Sequence, residues 1–258
     1  MSHPLIIFMH IPKTAGRTLR AIIRRQYRPE EVCTTNRQDP DPYQAFTRLT
    51  AAEQARLRVV QGHFAYGLHE HTDRPVLYVT MLRQPAARAI SYYRFIRDNP
   101  HHTHHAAANA LGLAGFVRER VSKGIDNGQL RYLAAAEDAP FGECTEEMLA
   151  LALQRLEERF IAVGLVEAFD DSILLMRQAL GWRLPVYKPV NVSKHQVRRE
   201  ELSEEVLEAL AAYNQLDQRL YDYACRRLAA AKQAAGWRFA WDRRRLAWMN
   251  QVLAWRTS

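Results

Sequence analysis

The segment LIIFMHIPKTAGRTL, residues 5–19, predicts a strand, a tight turn and the start of a helix. Leu5 to Met9 is a short apolar run of the kind that forms a buried strand, and Pro12 to Gly16 supplies the turn. Thr18 to Tyr27 follows as a helix with a strongly basic face. Because unpaired backbone N–H groups and the helix dipole both point into such a turn, the segment predicts an anion-binding cradle.

This turn departs from the phosphate loop of ordinary ATPases and GTPases. That loop requires Gly-x-x-x-x-Gly-Lys-Ser/Thr. When its end is placed on residues 16–18, Ile11 stands at the first glycine and Arg17 at the lysine. Lys13 is the only lysine in the turn. The sequence therefore predicts a phosphate-loop-like architecture but argues against an ordinary ATPase or GTPase.

A second segment, VTMLRQPAARAISYY at residues 79–93, has the same order of strand, loop and helix. Arg83 falls where the strand ends, and Ser91 lies about two turns into the helix that Pro85 begins. Both side chains could face one phosphate placed over the strand end. Two anion-binding segments thus follow one another in similar structural contexts.

Strands and helices alternate along most of the chain. Further apolar segments predict strands at 58–61, 76–82 and 160–166, with helices between them, and residues 28–41 are interpreted as an irregular connection. The pattern predicts an α/β fold with a phosphate-loop-like central sheet, mainly parallel, flanked by helices and followed by a helical C-terminal tail. Ligands bind at the carboxyl ends of the strands in such folds.

The pattern divides the chain into a domain over residues 1–235 and an amphipathic helical tail over residues 236–258 that is rich in Trp and Arg. A long helix from Leu202 to about Ala235 is predicted to end the domain. In the tail, tryptophans recur every seven residues, at Trp241, Trp248 and Trp255. Packing against the body or a second copy of the chain is favoured for this stripe, and contact with an anionic membrane surface is the alternative.

Composition limits the partners without choosing one. The 258 residues contain 36 Lys and Arg against 28 Asp and Glu, and this excess of positive charge favours anionic ligands. Cys33, Cys144 and Cys225 lack metal-ligand spacing and indicate free thiols in a reducing compartment. No apolar run approaches the roughly 20 residues that span a bilayer. We therefore expect a cytoplasmic, bacterial protein, with peripheral contact at the inner membrane face as an extension.

Together the two segments resemble the donor-binding motifs of carbohydrate sulfotransferases that use PAPS (3′-phosphoadenosine-5′-phosphosulfate), particularly the heparan sulfate 2-O- and 6-O-sulfotransferase group. The loop of that group reads approximately His-Ile-Pro-Lys-Thr-Gly-Gly-Thr-Thr and binds the 5′-phosphosulfate; here Ala15 and Arg17 replace a Gly and a Thr. The resemblance implies donor contacts from Lys13, Thr14, Ala15, Gly16, Arg17 and Thr18.

The resemblance also assigns the rest of the donor site. It implies that Arg83 and Ser91 hold the 3′-phosphate, and that a late loop containing Ser193 and Lys194 closes over the adenosine and this phosphate. Loop mobility is the alternative for the last two. PAP, the donor without its sulfuryl group, would be the product, and the mechanism requires no metal.

Two residues are the candidates for catalysis. His63 closes a predicted strand after Gly62, and its position resembles that of the catalytic His in heparan 6-O-sulfotransferases, which implies that it deprotonates the acceptor hydroxyl. A structural histidine is the alternative. Lys13 is the candidate for stabilising the leaving oxygen, because its compact ammonium can follow charge as it develops.

Candidates for binding the acceptor are more dispersed. Residues 126–133, DNGQLRYL, resemble the segment that lines the acceptor cleft of the family, which makes Gln129 and Arg131 candidates; a capped helix start is the alternative. His10 is a further candidate, with a cradle or packing role as the alternative. His101 and His104 belong to a histidine-rich loop without Asp, Glu or Cys at ligand spacing, so acceptor contact or plain solvation is expected there in place of a metal.

The sequence thus predicts a sulfotransferase that moves the sulfuryl group of PAPS to a hydroxyl of a glycan or glycoconjugate. One rival is a kinase-like phosphotransferase, although ATP chemistry needs Mg²⁺ ligands and a lysine where Arg17 stands. Another is a non-catalytic module that binds a nucleotide or another anion. Nucleic-acid binding is the weakest rival, because the positive charge is not accompanied by a recognised DNA- or RNA-binding motif.

Overall fold

The computed structural model describes residues 3–35, 41–188 and 203–255. Its centre is a parallel sheet of five strands in the order β2-β3-β1-β4-β5. The strands are β1 (Leu5–Met9), β2 (Val32–Thr34), β3 (Val59–Gly62), β4 (Val76–Leu82) and β5 (Phe160–Leu165). The predicted α/β class with a parallel central sheet is confirmed.

Helices cover both faces of the sheet. They are α1 (Gly16–Gln26), α2 (Gln44–Thr47), α3 (Ala51–Arg56), α4 (Pro85–Arg97), α5 (His105–Arg118), α6 (Gly128–Ala134), α7 (Glu146–Arg159), α8 (Phe169–Leu180), α9 (Glu204–Ala212) and α10 (Gln215–Trp255). Short 3₁₀ turns join several of them. A capping box precedes α3, since Thr50 and Glu53 exchange hydrogen bonds at its start.

The central strand β1 explains why the chain begins with an unbroken apolar run. Every residue of β1 is buried. Its odd-numbered residues pack into a core with α6, α7 and the first half of α10, and its even-numbered residues pack into a second core with α1, α8 and the end of α10. A strand that is covered on both faces has no side exposed to solvent, so its sequence is a continuous apolar run and not an alternation of apolar and polar residues.

Some elements differ from the expectations. Val32–Thr34 forms the edge strand β2, parallel to β3, inside the segment expected to be irregular. The helix α5 is kinked at Gly112. The long helix expected from Leu202 to Ala235 is divided into α9 and α10, because the chain turns at residues 213–214.

The helix α10 runs past the predicted end of the domain and kinks at Gly236, whose φ of 64° is left-handed. A residue with a side chain would be strained in this conformation, and glycine permits it. The predicted boundary between residues 235 and 236 therefore coincides with a kink. None of the helices in the described parts of the chain combines the length and hydropathy needed to span a bilayer.

Candidate functional site

The loops that leave β1, β3 and β4 meet at one edge of the sheet. β1 lies between the other two strands, with Met9 paired to Gly62 and Phe8 paired to Val79. Because the strands are parallel, their carboxyl ends lie on the same side. The turn after β1, His63 after β3 and Arg83 after β4 are thereby gathered in adjacent positions.

The turn between β1 and α1 adopts a conformation that ordinary residues enter at a cost. Lys13 and Ala15 both have left-handed backbones, with φ values of 72° and 59°. The Thr14 hydroxyl donates to the Ile11 carbonyl at 2.8 Å, which holds the turn from inside. The chain then enters α1 at Gly16, so the positive end of the helix dipole lies at the turn, as the predicted cradle requires.

His10 is a packing residue of this turn. Its ring lies 4.0 Å from the His63 ring and stacks on Phe8 at 5.5 Å, and the side chain is buried. A Cβ atom at Gly16 would come within 1.8 Å of His10 Nε2, so only glycine fits there while His10 is present. The buried ring departs from the prediction that His10 binds the acceptor and fits the packing alternative.

The orientation of His63 sets which of its nitrogens can act as a base. His63 Nδ1 lies 2.8 Å from the His10 carbonyl oxygen. A carbonyl can only accept, so Nδ1 carries the hydrogen and the neutral ring keeps its basic lone pair on Nε2. Gly62 lets β3 lie close to the end of β2, since a Cβ atom at position 62 would lie 1.7 Å from the Thr35 hydroxyl. The geometry is that of a fixed tautomer with Nε2 as the proton acceptor.

Lys13 sits in a concentration of positive charge. Burial lowers the pKa of Lys13 from its usual value of 10.5; Arg83 and Arg17 lower it further, and Asp98 opposes them. Its Nζ lies 4.9 Å from the centre of the Phe95 ring on α4. An anion bound beside this ammonium would relieve the repulsion among the cations.

Arg83 links the second predicted motif to the first. Its guanidinium donates to the Lys13 carbonyl at 3.2 Å. Its Nε is buried and finds no acceptor within the described part of the chain. Burial lowers the pKa of Arg83, with Glu167 opposing and Arg88 and Arg94 adding to the shift. A buried guanidinium N–H without a partner fits a site for an anion that would accept from it.

Arg94 adds positive charge close to Arg83 and was not among the residues that the sequence predicted. It follows Ser91 by three residues on α4, and its charge acts on Arg83. Residues three apart share a helix face, so the spacing from Ser91 was the signal that could have identified it. Ser91 itself lies on α4, half-buried, as predicted. Ser193 and Lys194 lie outside the described residues, and their donor contacts stay predictions.

Gln129 and Arg131 have internal partners in place of an open cleft. Gln129 forms a two-point contact with the backbone of Arg83: its Oε1 accepts from the Arg83 N–H at 2.8 Å, and its Nε2 donates to the Arg83 carbonyl at 2.9 Å. Asp217 on α10 accepts in turn from the backbone N–H groups of Gln129, at 3.1 Å, and Leu130, at 2.7 Å. Gln129 therefore holds the backbone of Arg83, the residue predicted to bind the 3′-phosphate.

Arg131 is similarly engaged. It pairs with the buried carboxylate of Asp126 and donates to the carbonyls of Asp126, Ala139 and Pro140. Both Gln129 and Arg131 are buried. Their predicted contact with the acceptor is corrected to a supporting role, because the protein itself satisfies their polar groups.

The histidine-rich loop follows α4, close to Phe95. His102 meets the rings of Tyr92 and Phe95 edge-on, at 6.4 and 5.9 Å. His101 is exposed and His104 is half-buried, and their predicted acceptor contact stays a prediction. Within residues 3–35, 41–188 and 203–255, no group of three or more His, Cys, Asp or Glu side chains is arranged to hold a metal ion.

These features together fit a doubly anionic ligand. The turn offers a helix N-terminus and Lys13, and Arg83 offers an open donor one strand away. One anionic group would lie over β1 and another over β4.

Comparison with known proteins gives a family match over nearly the whole chain. Residues 2–256 match the family model described as galactose-3-O-sulfotransferase. Galactose-3-O-sulfotransferase 3 of Mus musculus is 26% identical over 247 residues, which cover 86% of this chain and 55% of that protein. The same enzyme of Bos taurus is 28% identical over 170 residues, covering 61% of this chain and 40% of that protein. The chain thus spans about half the length of these relatives or less.

One further relative and one solved structure extend the comparison. Galactose-3-O-sulfotransferase 2 of Homo sapiens is 24% identical over 192 residues, covering 70% of this chain and 47% of that protein. The crystal structure of mouse sulfotransferase SULT7A1 complexed with PAP aligns with a TM-score of 0.41 and 15% identity, covering 83% of this chain and 82% of the other.

Proposed function

The chain belongs to the galactose-3-O-sulfotransferase family, and we propose that it transfers the sulfuryl group of PAPS to a hydroxyl of a carbohydrate. The resemblance to PAPS-dependent carbohydrate sulfotransferases is confirmed at the level of the family. The family model that matches is that of galactose-3-O-sulfotransferases. The observation that carries the proposal is the meeting of His63, Lys13 and Arg83 at one sheet edge.

We propose that the two ends of the donor lie on the two anion-binding segments. The turn of residues 13–18 holds the 5′-phosphosulfate, through backbone N–H groups and Lys13. Arg83, with Ser91 and Arg94 on α4, holds the 3′-phosphate. The bond from the Arg83 guanidinium to the Lys13 carbonyl fixes the spacing between the two segments.

The reaction needs one proton acceptor and one positive charge. PAPS supplies the sulfuryl group and leaves as PAP. His63 Nε2 takes the proton of the acceptor hydroxyl as its oxygen forms the new bond to sulfur. The bond from sulfur to the bridging phosphate oxygen breaks, and Lys13 stabilises the negative charge left on that oxygen. The products are a sulfate ester and PAP, with the proton on His63.

The acceptor is proposed to be a galactose residue, sulfated at its 3-hydroxyl. The support is the name shared by the family and the relatives of this chain. The test is transfer from PAPS to a β-galactoside and to its 3-deoxy analogue. Transfer to the galactoside alone supports the proposal. Equal transfer to both would reject the 3-hydroxyl, and transfer only to a different sugar would reject galactose.

Donor specificity is tested by calorimetric titration of the protein with PAP beside AMP, ADP and ATP-Mg. We expect a clear preference for PAP, because only PAP carries the 3′-phosphate that would meet Arg83. Tighter binding of ATP-Mg would favour a phosphotransferase. PAP binding without transfer to any sugar would favour a non-catalytic module.

We also propose a cytoplasmic location, in a bacterial cell. The support for the location is the state of Cys33, Cys144 and Cys225, which are all free thiols. Fractionation of the source cells with a cytoplasmic marker protein tests it, and recovery with secreted proteins would reject it. A contact of the tail with a membrane surface or with a second copy of the chain is compatible with this location.

A further inference from the structure

The end of α10 after the Gly236 kink leaves its tryptophans in solvent. We call this segment, residues 237–255, the tail helix. The tail helix packs on the body through Phe239 and Leu246, which are buried in the same core as Phe8 of β1. Its exposed tryptophans, 60% to 80% accessible, are Trp237, Trp241, Trp248 and Trp255. The expectation that the stripe packs on the body therefore does not hold.

The four tryptophans form one line. At 100° per residue they fall within about 40° of one another around the helix axis, and they extend over about 27 Å. Phe239 and Leu246 lie on the opposite side of the helix. The side that holds the helix on the protein is therefore separate from the tryptophan side, which is exposed along the length of the segment.

Positive charge accompanies this line. The tail helix contains four arginines and a single acidic residue, Asp242, which pairs with Arg177 of the body. The Arg238 guanidinium lies 5.6 Å from the Trp237 ring, and that of Arg245 lies 6.0 Å from the Trp241 ring. Indole and guanidinium groups in contact suit a water–lipid boundary, where the ring enters the apolar layer and the cation stays at the headgroups.

A basic recess lies at the kink. Its lining includes Gly236, Lys232, Arg243 and Arg244. Lys232 and Arg243 share the single carboxylate of Asp171, so the recess keeps an excess of positive charge. A phosphate headgroup matches the sign of that charge.

We propose that the tail helix lies on the surface of an anionic lipid bilayer, with its tryptophans in the interface and its arginines at lipid phosphates. A second copy of the chain is the less suitable occupant, because a twofold contact would place this basic face against itself. The inference does not depend on sulfuryl transfer.

The experiment is co-sedimentation of the full chain with vesicles of phosphatidylcholine alone and of phosphatidylcholine mixed with phosphatidylglycerol in about equal amounts. We expect binding to the mixed vesicles that weakens as salt is added, and at least about tenfold weaker binding to phosphatidylcholine alone. Absence of binding to the mixed vesicles, or equal binding to both, overturns the proposal.

Paired variants distinguish binding through the tryptophan line from nonspecific hydrophobic adsorption. Trp241→Ala with Trp248→Ala should weaken vesicle binding at least about tenfold. Leu111→Ala with Leu151→Ala removes exposed apolar side chains elsewhere and should leave binding unchanged. Since all four residues are exposed, thermal unfolding should not shift for either pair. Equal loss from both pairs, or from neither, overturns the proposal.

A second pair of variants tests the charge. Arg244→Ala with Arg245→Ala should weaken binding to the mixed vesicles about 30-fold at low salt. Arg56→Ala with Arg226→Ala makes the same change in net charge at exposed positions outside the tail helix and should have little effect. Equal effects from the two pairs overturn the assignment to the tail helix.

Two other measurements identify rival occupants. A dimer in sedimentation equilibrium that the tryptophan pair abolishes, without vesicle binding by the unaltered chain, assigns the face to a second copy and overturns the proposal. Binding to dextran sulfate in the absence of vesicle binding assigns it to a soluble polyanion and also overturns it.

Discussion

The sheet edge that carries the anion cradle and the buried helix α6 both resemble family motifs in sequence, but their polar groups are bonded differently. Each contains an arginine within a segment that resembles a family motif, at Arg83 and at Arg131. Arg83 keeps a buried N–H without an acceptor, whereas the Arg131 guanidinium is occupied by Asp126 and backbone carbonyls. The resemblance therefore locates residues near the ligand, and the state of their polar groups distinguishes contact from support.

The largest effect should come from the base at the sheet edge. His63→Ala should lower kcat by about 100- to 10,000-fold, because the acceptor hydroxyl loses its proton acceptor. PAP binding, measured by calorimetry, should persist. His71→Ala, which removes an exposed histidine elsewhere, is the control. Near-normal turnover of the His63 variant would remove it from the mechanism.

On the supporting side of the comparison, Arg131→Met should lower the free energy of unfolding by about 3–5 kcal/mol, since it leaves the Asp126 carboxylate buried and without its cation. Denaturant unfolding measures the loss. Arg219→Met breaks an exposed pair with Glu146 and should cost less than about 1 kcal/mol. A stable Arg131 variant that had lost acceptor binding would restore the original prediction for this residue.

The matching change at the edge is Arg83→Ala. It should weaken PAP binding by about 1.5–3 kcal/mol, the range for a hydrogen bond to a charged group, with little change in unfolding. Arg24→Ala, at an exposed position on α1, controls for the general field of the protein. If AMP, which has no 3′-phosphate, lost as much affinity as PAP, the assignment of Arg83 to that phosphate would be wrong.

The pH dependence of PAP binding refines the role of Lys13. The anion binds the charged ammonium, and burial with Arg83 and Arg17 lowers the pKa of that ammonium in the free protein. As pH rises through the lowered pKa, PAP affinity should fall by up to about tenfold per pH unit. Titrations from neutral pH up to the usual lysine pKa of 10.5 measure this fall. Lys13→Arg keeps the charge and should flatten the curve; an unchanged slope would assign the effect to another group.

The smallest expected effect concerns backbone strain at the cradle. Ala15 and Ala135 both adopt left-handed conformations, one at the cradle and one at the end of α6. Ala15→Gly and Ala135→Gly should each stabilise the fold by about 0.5–1 kcal/mol in thermal unfolding. PAP affinity should be the same in both variants, because Ala15 already has the conformation of the turn. A large gain in PAP affinity for Ala15→Gly alone would show that Ala15 distorts the cradle.

The sequence predicted the parts of the fold that local chemistry determines. The β1 segment was recognisable as an apolar run because both of its faces are covered, and Pro85 marked the start of α4. The strand β2 was missed because it is only three half-buried residues long and gains its order from pairing with β3. Pairing of this kind is a tertiary effect, which local propensity does not record.

In the candidate site, too, the sequence predicted what local chemistry determines and missed what tertiary contacts determine. The turn after β1, His63 and Arg83 were identified because motif and strand end coincide. The partners of Gln129 are the Arg83 backbone and Asp217, which are far apart in the chain, and those of Arg131 are Asp126 and the carbonyls of a short loop after α6. The side on which the tail helix packs was not predicted, because Phe239 and Leu246 are less conspicuous in sequence than four tryptophans.

The contact between His10 and Gly16 also constrains the order in which this site can change by mutation. A side chain at position 16 is blocked by the His10 ring, and that ring is held by Phe8 and His63. Any residue larger than glycine at position 16 first requires a smaller one at position 10, and that replacement would loosen the neighbour of the proposed base. The two positions are therefore epistatic: a substitution at one is tolerated or harmful according to the residue at the other.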